Sequence, residues 1–231
     1  MQIQGAIALV TGGTRGLGAG FTSALLEGGA RRVYVAARHT VPSTDDRVTS
    51  IELDVTDADQ VAAAAKQLSD VTVVINNAGS YHGGVSVLEA PVEDFRADLE
   101  ANVFGVLNVS RAFAPVLAAN GGGAFVNVHS LLSFMTAGDG YSVSKAAAWG
   151  LTNAVRGLTA PDGTEVLGVH VGFMDTDMTR HITGVDKSNP DDIARAALRA
   201  LEEGQTELFA DQFSVMSKQA IGGDPAKLFF G

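Results

Sequence analysis

Ile7-Ala8-Leu9-Val10-Thr11-Gly12-Gly13-Thr14-Arg15-Gly16-Leu17-Gly18 is the stretch that decides how this chain folds. Its first four residues are continuously apolar, the pattern of a strand covered on both faces. Glycines follow, and behind them residues 18–27 have helical composition and are stopped by Gly28-Gly29. A glycine cluster alone is usually an ordinary turn. Between a buried strand and a helix, it allows a tight turn and brings backbone N–H groups close to a pyrophosphate at the helix N-terminus.

The alternation continues along the chain. Apolar, β-rich runs predict strands at 7–10, 33–37, 48–53, 71–75, 124–129, 166–171 and, weakly, 207–210. Helical spacing or composition predicts helices at 18–27, 57–68, 92–117, 141–158 and 191–203, the last opened by Asn189-Pro190. Strands alternating with helices imply right-handed crossovers and an α/β, doubly wound parallel sheet. No linker or repeat interrupts the pattern, so residues 1–231 are expected to form one domain. Ligands should lie beyond the carboxyl ends of its strands, where the winding reverses.

Composition narrows the function. Of 231 residues, 46% are hydrophobic and 18% charged, as in a globular protein. A net charge of −10 argues against nucleic acid and against an anionic membrane surface, both of which draw affinity from Lys and Arg. There is no cysteine, which excludes disulfides, Cys-ligated zinc and thiol nucleophiles and is compatible with a reducing cytoplasm. The start of the chain lacks a basic signal-peptide region, and no apolar stretch approaches membrane-span length, so a soluble cytoplasmic protein is expected. The five histidines never fall into metal-ligand spacing, so no metal site is expected.

Charge at two places bears on the nucleotide. Selection of NAD usually puts a carboxylate about 20 positions beyond the glycines, to bind the ribose hydroxyls. Here the second strand ends Ala36-Ala37-Arg38-His39, with no carboxylate, and Arg15 lies inside the glycine loop. Two guanidinium groups there suit a 2′-phosphate, so NADP(H) is expected in preference to NAD(H).

Tyr141-Ser142-Val143-Ser144-Lys145 supplies the chemistry. Helix positions i and i+4 share a face, so this phenol and ammonium can act on one cavity. A nearby ammonium favours phenolate and is expected to bring the phenol down toward neutral pH, making it a usable acid for carbonyl reduction and a base for the reverse. Tyr-x-x-x-Lys alone is common on amphipathic helices, so its weight comes from companions. Ser130 ends the fifth strand, Asn76-Asn77-Ala78-Gly79 ends the fourth, and Asn102-Val103-Phe104-Gly105 lies in a helical stretch.

Together, in this order, these motifs resemble the short-chain dehydrogenase/reductase family over nearly the whole chain. The resemblance implies a Rossmann-type sheet of order 3-2-1-4-5-6-7. It implies Tyr141 as acid/base, Lys145 as its activator and a ligand of the nicotinamide ribose, Ser130 orienting the substrate oxygen and Asn102 holding a water that links Lys145 to solvent. Gly12, Thr14, Arg15, Gly16, Leu17 and Gly18 would cradle the pyrophosphate, and Asp54-Val55 would contact adenine. Asn77, Ala78 and Gly79 would line the cofactor, with Gly172 and Thr176 completing its site after the sixth strand. A homodimer or homotetramer is implied, through the apolar outer faces of 92–117 and 141–158.

The implied activity is interconversion of a small-molecule carbonyl and alcohol. NAD-linked alcohol oxidation, or a non-catalytic NADP(H) sensor, are the alternatives. Several features depart from the family pattern. Val171-Gly172 replaces Pro-Gly, predicting a less rigid turn. Ser130 and Tyr141 are 11 positions apart, a short interval for the family, and Phe209-Ala210-Asp211-Gln212 replaces the frequent Val-Asp-Gly-Gly ending. His82 and His129 are expected to be structural. Leu131, Leu132, Phe134, Met135, Phe173, Met174 and Met178 flank the expected site as a candidate apolar wall, and 179–188 is a candidate mobile cover.

Overall fold

The computed structural model describes residues 1–229. Seven parallel strands form one sheet: β1 (Ile7–Thr11), β2 (Arg32–Ala37), β3 (Val48–Glu52), β4 (Val73–Asn76), β5 (Gly123–Ser130), β6 (Thr164–Val171) and β7 (Glu207–Phe209). Their order is β3-β2-β1-β4-β5-β6-β7, as expected. Alternate residues face opposite sides of a strand, and each side is covered. Ala8, Val10, Val33 and Val126 pack with α1 (Gly16–Glu27) and α6 (Pro190–Glu202). Ile7, Leu9, Tyr34 and Phe125 pack on the other face with α2 (Ala58–Gln67), α4 (Gly105–Ala119) and α5 (Gly140–Thr159).

The winding reverses between β1 and β4, and the chemistry of that seam is specific. Thr11 is buried, and its Oγ1 donates to the Ile75 carbonyl at 3.2 Å. The same oxygen accepts from the N–H groups of Asn77 and Ala78 at 3.0 and 3.1 Å. It ties the ends of both strands together at the edge where a ligand is expected. Behind them, Asn76 donates to Asn127 (2.8 Å), Asn127 to Thr152 (2.9 Å), and Thr152 Oγ1 meets His129 Nε2 at 2.9 Å. His129 is therefore a buried structural residue, held neutral because burial pushes its pKa well below the usual imidazole value.

Element ends differ from the sequence expectation by no more than two residues, except in two places. The helix expected over 92–117 is broken: α3 (Val92–Leu99) passes through a π-turn, Glu100–Phe104, into α4. Helical composition says nothing of a five-residue bulge, which tertiary packing imposes at Asn102. The α4 expectation also missed that Val92–Ala119 has the length and composition to cross a membrane. In this fold its face Val106, Val109, Phe113 and Leu117 is buried in the protein core. An unexpected helix, α7 (Gln212–Ala220), follows β7. Its polar sequence hides it, yet Asp211 and Ser214 form a reciprocal cap that the spacing could have shown.

Candidate active site

The glycine loop leaves β1 where Gly12 N–H donates to the Ala36 carbonyl at 2.7 Å. A Cβ at Gly18 would lie 2.2 Å from the Gly12 oxygen, so only glycine allows the turn to close on the helix. Gly12 and Gly16 have positive φ, +64° and +51°. The Asn77 amide donates to the carbonyls of Thr11 (3.0 Å) and Gly12 (3.1 Å). Sequence placed Asn77 along the cofactor, and its amide nitrogen also holds the glycine loop in shape.

Helix α1 starts at Gly16, and no side chain caps it. Its first N–H groups and dipole therefore face the cleft as an anion site. These features fit a dinucleotide: a cradle with no room for side chains and a helix start without a capping group of its own. Thr14, Arg15 and Leu17 share this loop, with Leu17 buried and Arg15 exposed. Arg38 stands exposed just past β2, next to the Ala36–Gly12 contact. Arg15 is engaged on the side of the loop after β6, its Nη1 3.6 Å from Asp177 Oδ2, rather than joined to Arg38 as the sequence suggested. Asp54 accepts from Thr56 Oγ1 at 2.8 Å, and the Val55 carbonyl from Asn108 at 3.0 Å, fixing the turn after β3.

Ser130, Tyr141 and Lys145 come together. Ser130 ends β5, its Oγ accepting from Leu132 N–H at 3.2 Å. Asp139 caps α5 by accepting from Ser142 N–H at 2.9 Å, so Tyr141 and Lys145 lie in its first turns. Lys145 Nζ sits 5.7 Å from the Tyr141 ring centroid and donates to the Val128 carbonyl at 3.2 Å. Asn102 faces them from the π-turn. A Cβ on Gly79 would lie 2.7 Å from Asn102 Oδ1 and 3.9 Å from Lys145 Nζ, so Gly79 leaves this junction open. The Asn102 amide donates to Ser144 Oγ (2.9 Å) and the Ser80 carbonyl (3.1 Å), and its oxygen accepts from Ser80 N–H (3.0 Å).

The electrostatics correct one expectation. The Tyr141 pKa is raised, not lowered: burial disfavours the phenolate, and the carboxylates Asp98 and Asp139 add to the effect. A hydrogen bond with Ser130 opposes this without overcoming it. Lys145 is itself pulled down from 10.5 to about 8 by burial, against the attraction of Asp98. Desolvation, with Asp98 and Asp139, sets the direction of the shift, and the ammonium on which the sequence argument relied does not reverse it.

The turn after β6 is firmer than Val171-Gly172 suggested. Gly172 N–H donates to Asp211 Oδ2 at 2.5 Å, and a Cβ at Gly172 would clash with that carboxylate. Gly172 thus belongs to a clamp from α7. Thr176 lies across from the glycine loop, its Cγ2 3.3 Å from where a Gly16 Cβ would stand. The segment beyond is tied at its base, where Ser188 exchanges backbone bonds with Phe173 (2.8 Å) and Asp175 (3.0 Å). Sequence missed Tyr81 and Asp98, whose contacts with the site join residues distant in the chain, and also Asp139 and Asp211, whose caps on Ser142 and Ser214 are local and could have been found from spacing.

A parallel sheet with a glycine cradle at its winding reversal and a Ser, Tyr and Lys cluster beside it defines a Rossmann-type dinucleotide-binding protein. The model of the short chain dehydrogenase family matches residues 6–186, and the chain belongs to that family. Among curated relatives it is similar to the oxidoreductase UcpA of Escherichia coli K12, 30% identical over 83% of this chain and 77% of that one. It is similar also to the 3-alpha-(or 20-beta)-hydroxysteroid dehydrogenase of Mycobacterium tuberculosis, 30% identical over 87% and 79%. Among solved structures, a short chain dehydrogenase from Burkholderia cenocepacia in complex with NADP aligns over 100% of both chains, with 40% identity and a TM-score of 0.93.

Proposed function

We propose that the protein is an NADP(H)-dependent carbonyl reductase in which Tyr141 protonates the substrate oxygen. The observation that carries this is the joining of Ser130 and Lys145 to Tyr141 beside the glycine cradle. A phenol is already protonated near neutral pH, and burial raises this one further, so Tyr141 holds the proton that reduction needs.

A nicotinamide dinucleotide bound in the cradle supplies hydride to the carbonyl carbon. Negative charge then grows on the carbonyl oxygen, and the residues around it act on that charge. Ser130 orients the oxygen by hydrogen bonding and Tyr141 gives up its proton to it. Lys145 stabilises the phenolate left behind, its ammonium opposing the cost of a buried negative charge. Asn102 fixes the strand-end loop at Ser80 against Ser144 of α5, preserving the geometry around Lys145.

Gly12, Thr14, Arg15, Gly16, Leu17 and Gly18 hold the pyrophosphate. Asp54 and Val55 would hold the adenine, Asn77, Ala78 and Gly79 would line the nucleotide, and Gly172 and Thr176 would hold the nicotinamide end. Arg38 binds the 2′-phosphate and sets the preference for NADP(H), in line with the NADP complex of the Burkholderia cenocepacia protein. Absence of cysteine supports a reducing, cytoplasmic setting. A homodimer or homotetramer is supported by the exposed small residues Ala146, Ala147, Gly150 and Ala154 on the outer face of α5. The direct test is NADPH oxidation with a panel of aldehydes and ketones. Tyr141→Phe should keep NADPH affinity and lose turnover; substantial residual rate would remove Tyr141 as the acid.

A further inference from the structure

Two loops meet over Tyr141, and they meet through aromatic rings. Tyr81, on the loop after β4, packs against Tyr141 in a T-shaped arrangement, with centroids 5.0 Å apart and planes at 80°. His181, on the loop after β6, stacks against Tyr81 at 6.3 Å and 20°. Tyr81 is set in place from below. A Cβ at Gly83 would lie 2.4 Å from Tyr81 Cε2 and 2.4 Å from Asp139 Oδ2, so glycine there lets ring and carboxylate pack together.

Behind these rings stand two buried carboxylates. Asp98 is 1% exposed and accepts from Ser80 Oγ (2.8 Å) and His82 N–H (3.2 Å), with His82 Nδ1 at 2.9 Å. Asp139 is 3% exposed and accepts from Ser142 N–H (2.9 Å), Ser142 Oγ (2.6 Å) and Gly84 N–H (3.2 Å). Both act on the Tyr141 phenol, and both act on Tyr81. Cations on the facing loop are committed elsewhere: Arg180 to Asp177, and Lys187 to the Thr179 carbonyl. Lys145 lies behind the phenol, bonded to β5.

We infer that Tyr81 and His181 form a two-ring wall that selects an uncharged, ring-bearing carbonyl compound, while Asp98 and Asp139 turn away carboxylate-bearing ones. The inference rests on the carbonyl-reductase reading and adds a substrate class to it. A flat ring entering beside Tyr141 meets the aromatic pair of Tyr81 and His181 without displacing a charge. A keto acid would place its carboxylate in a negative field, where Arg180, Lys187 and Lys145, the nearby cations named above among the described residues, are already bonded to other groups. Tyr81 is thus a specificity-determining residue.

Three probes separate the two parts: methyl benzoylformate (ring, no charge), benzoylformate (ring, charge) and methyl pyruvate (neither). With NADPH, kcat/KM for methyl benzoylformate should exceed that for benzoylformate about a hundredfold, from repulsion by two poorly solvated charges. It should exceed that for methyl pyruvate about tenfold, from one ring contact in a desolvated site. Tyr81→Ala should bring the second ratio near one and leave the first largely intact, whereas Tyr81→Phe should keep both. If Tyr81→Ala fails to fold, His181→Ala, at an exposed loop position, should lower the ring ratio. Saturation-transfer NMR of methyl benzoylformate, with no nucleotide added, gives a second readout: the ring protons should saturate more than the ester methyl, and Tyr81→Ala should erase the difference. Equal or better turnover of benzoylformate, or a ring ratio indifferent to Tyr81 and His181, overturns the inference and leaves the reductase reading standing. Failure to turn over any probe, with NADPH bound, overturns both.

Discussion

Replacing Lys145 with methionine separates the cost of a buried charge from its use. Burial lowers the Lys145 pKa from 10.5 to about 8. Below pH 8 the folded protein must hold an ammonium away from water. Between pH 8 and 10.5 the unfolded chain binds a proton that the folded one does not, so stability rises with pH across that window. The penalty is about 3 kcal/mol at pH 7 and about 1 kcal/mol at pH 10. Methionine keeps the length of the stem and removes the penalty, but also removes the bond to the Val128 carbonyl, worth about 1.5 kcal/mol. Lys145→Met should therefore be about 1.5 kcal/mol more stable than the parent at pH 7, raising Tm by roughly 3–6 °C for a chain of this size. At pH 10 the gain should vanish or reverse slightly. Urea denaturation at both pH values measures the difference, and turnover should fall in the same variant. A stability gap that is constant with pH would mean that Lys145 is solvated, and the account of its role would fail with it.

Other outcomes follow from single contacts. Arg38→Asp should weaken NADPH by about 10–100-fold and favour NADH, as expected for loss of a charge-assisted phosphate contact; fluorescence titration with both nucleotides checks it, and an unchanged ratio removes Arg38 from the site. Gly18→Ala puts a methyl 2.2 Å from the Gly12 oxygen, so it should cost about 1–3 kcal/mol in stability and weaken nucleotide binding in calorimetry. Asp211→Ala removes the cap of α7 and the acceptor for Gly172 N–H; a loss of about 2 kcal/mol in denaturant titration is expected, and a change below about 0.5 kcal/mol would deny the clamp.

Sequence by itself determined the alternation of strands and helices, the place of the cradle and the pairing of Tyr141 with Lys145, while the sheet order came from the family resemblance of its motifs. Those features are written in local periodicity: continuous apolar runs, glycines at a strand end, and two side chains one helical turn apart. It also located Ser130 and Asn102, since strand ends and motif order place them at one edge. It did not show the π-turn, the Asp211 clamp on Gly172, or the ring contacts of Tyr81 with Tyr141 and His181. Each joins residues far apart in the chain, and no periodic signal spans such a distance. The sign of the Tyr141 shift belongs here too. Spacing reports that an ammonium is near, but desolvation depends on everything packed around the phenol, and in this structure burial with Asp98 and Asp139 raises the phenol.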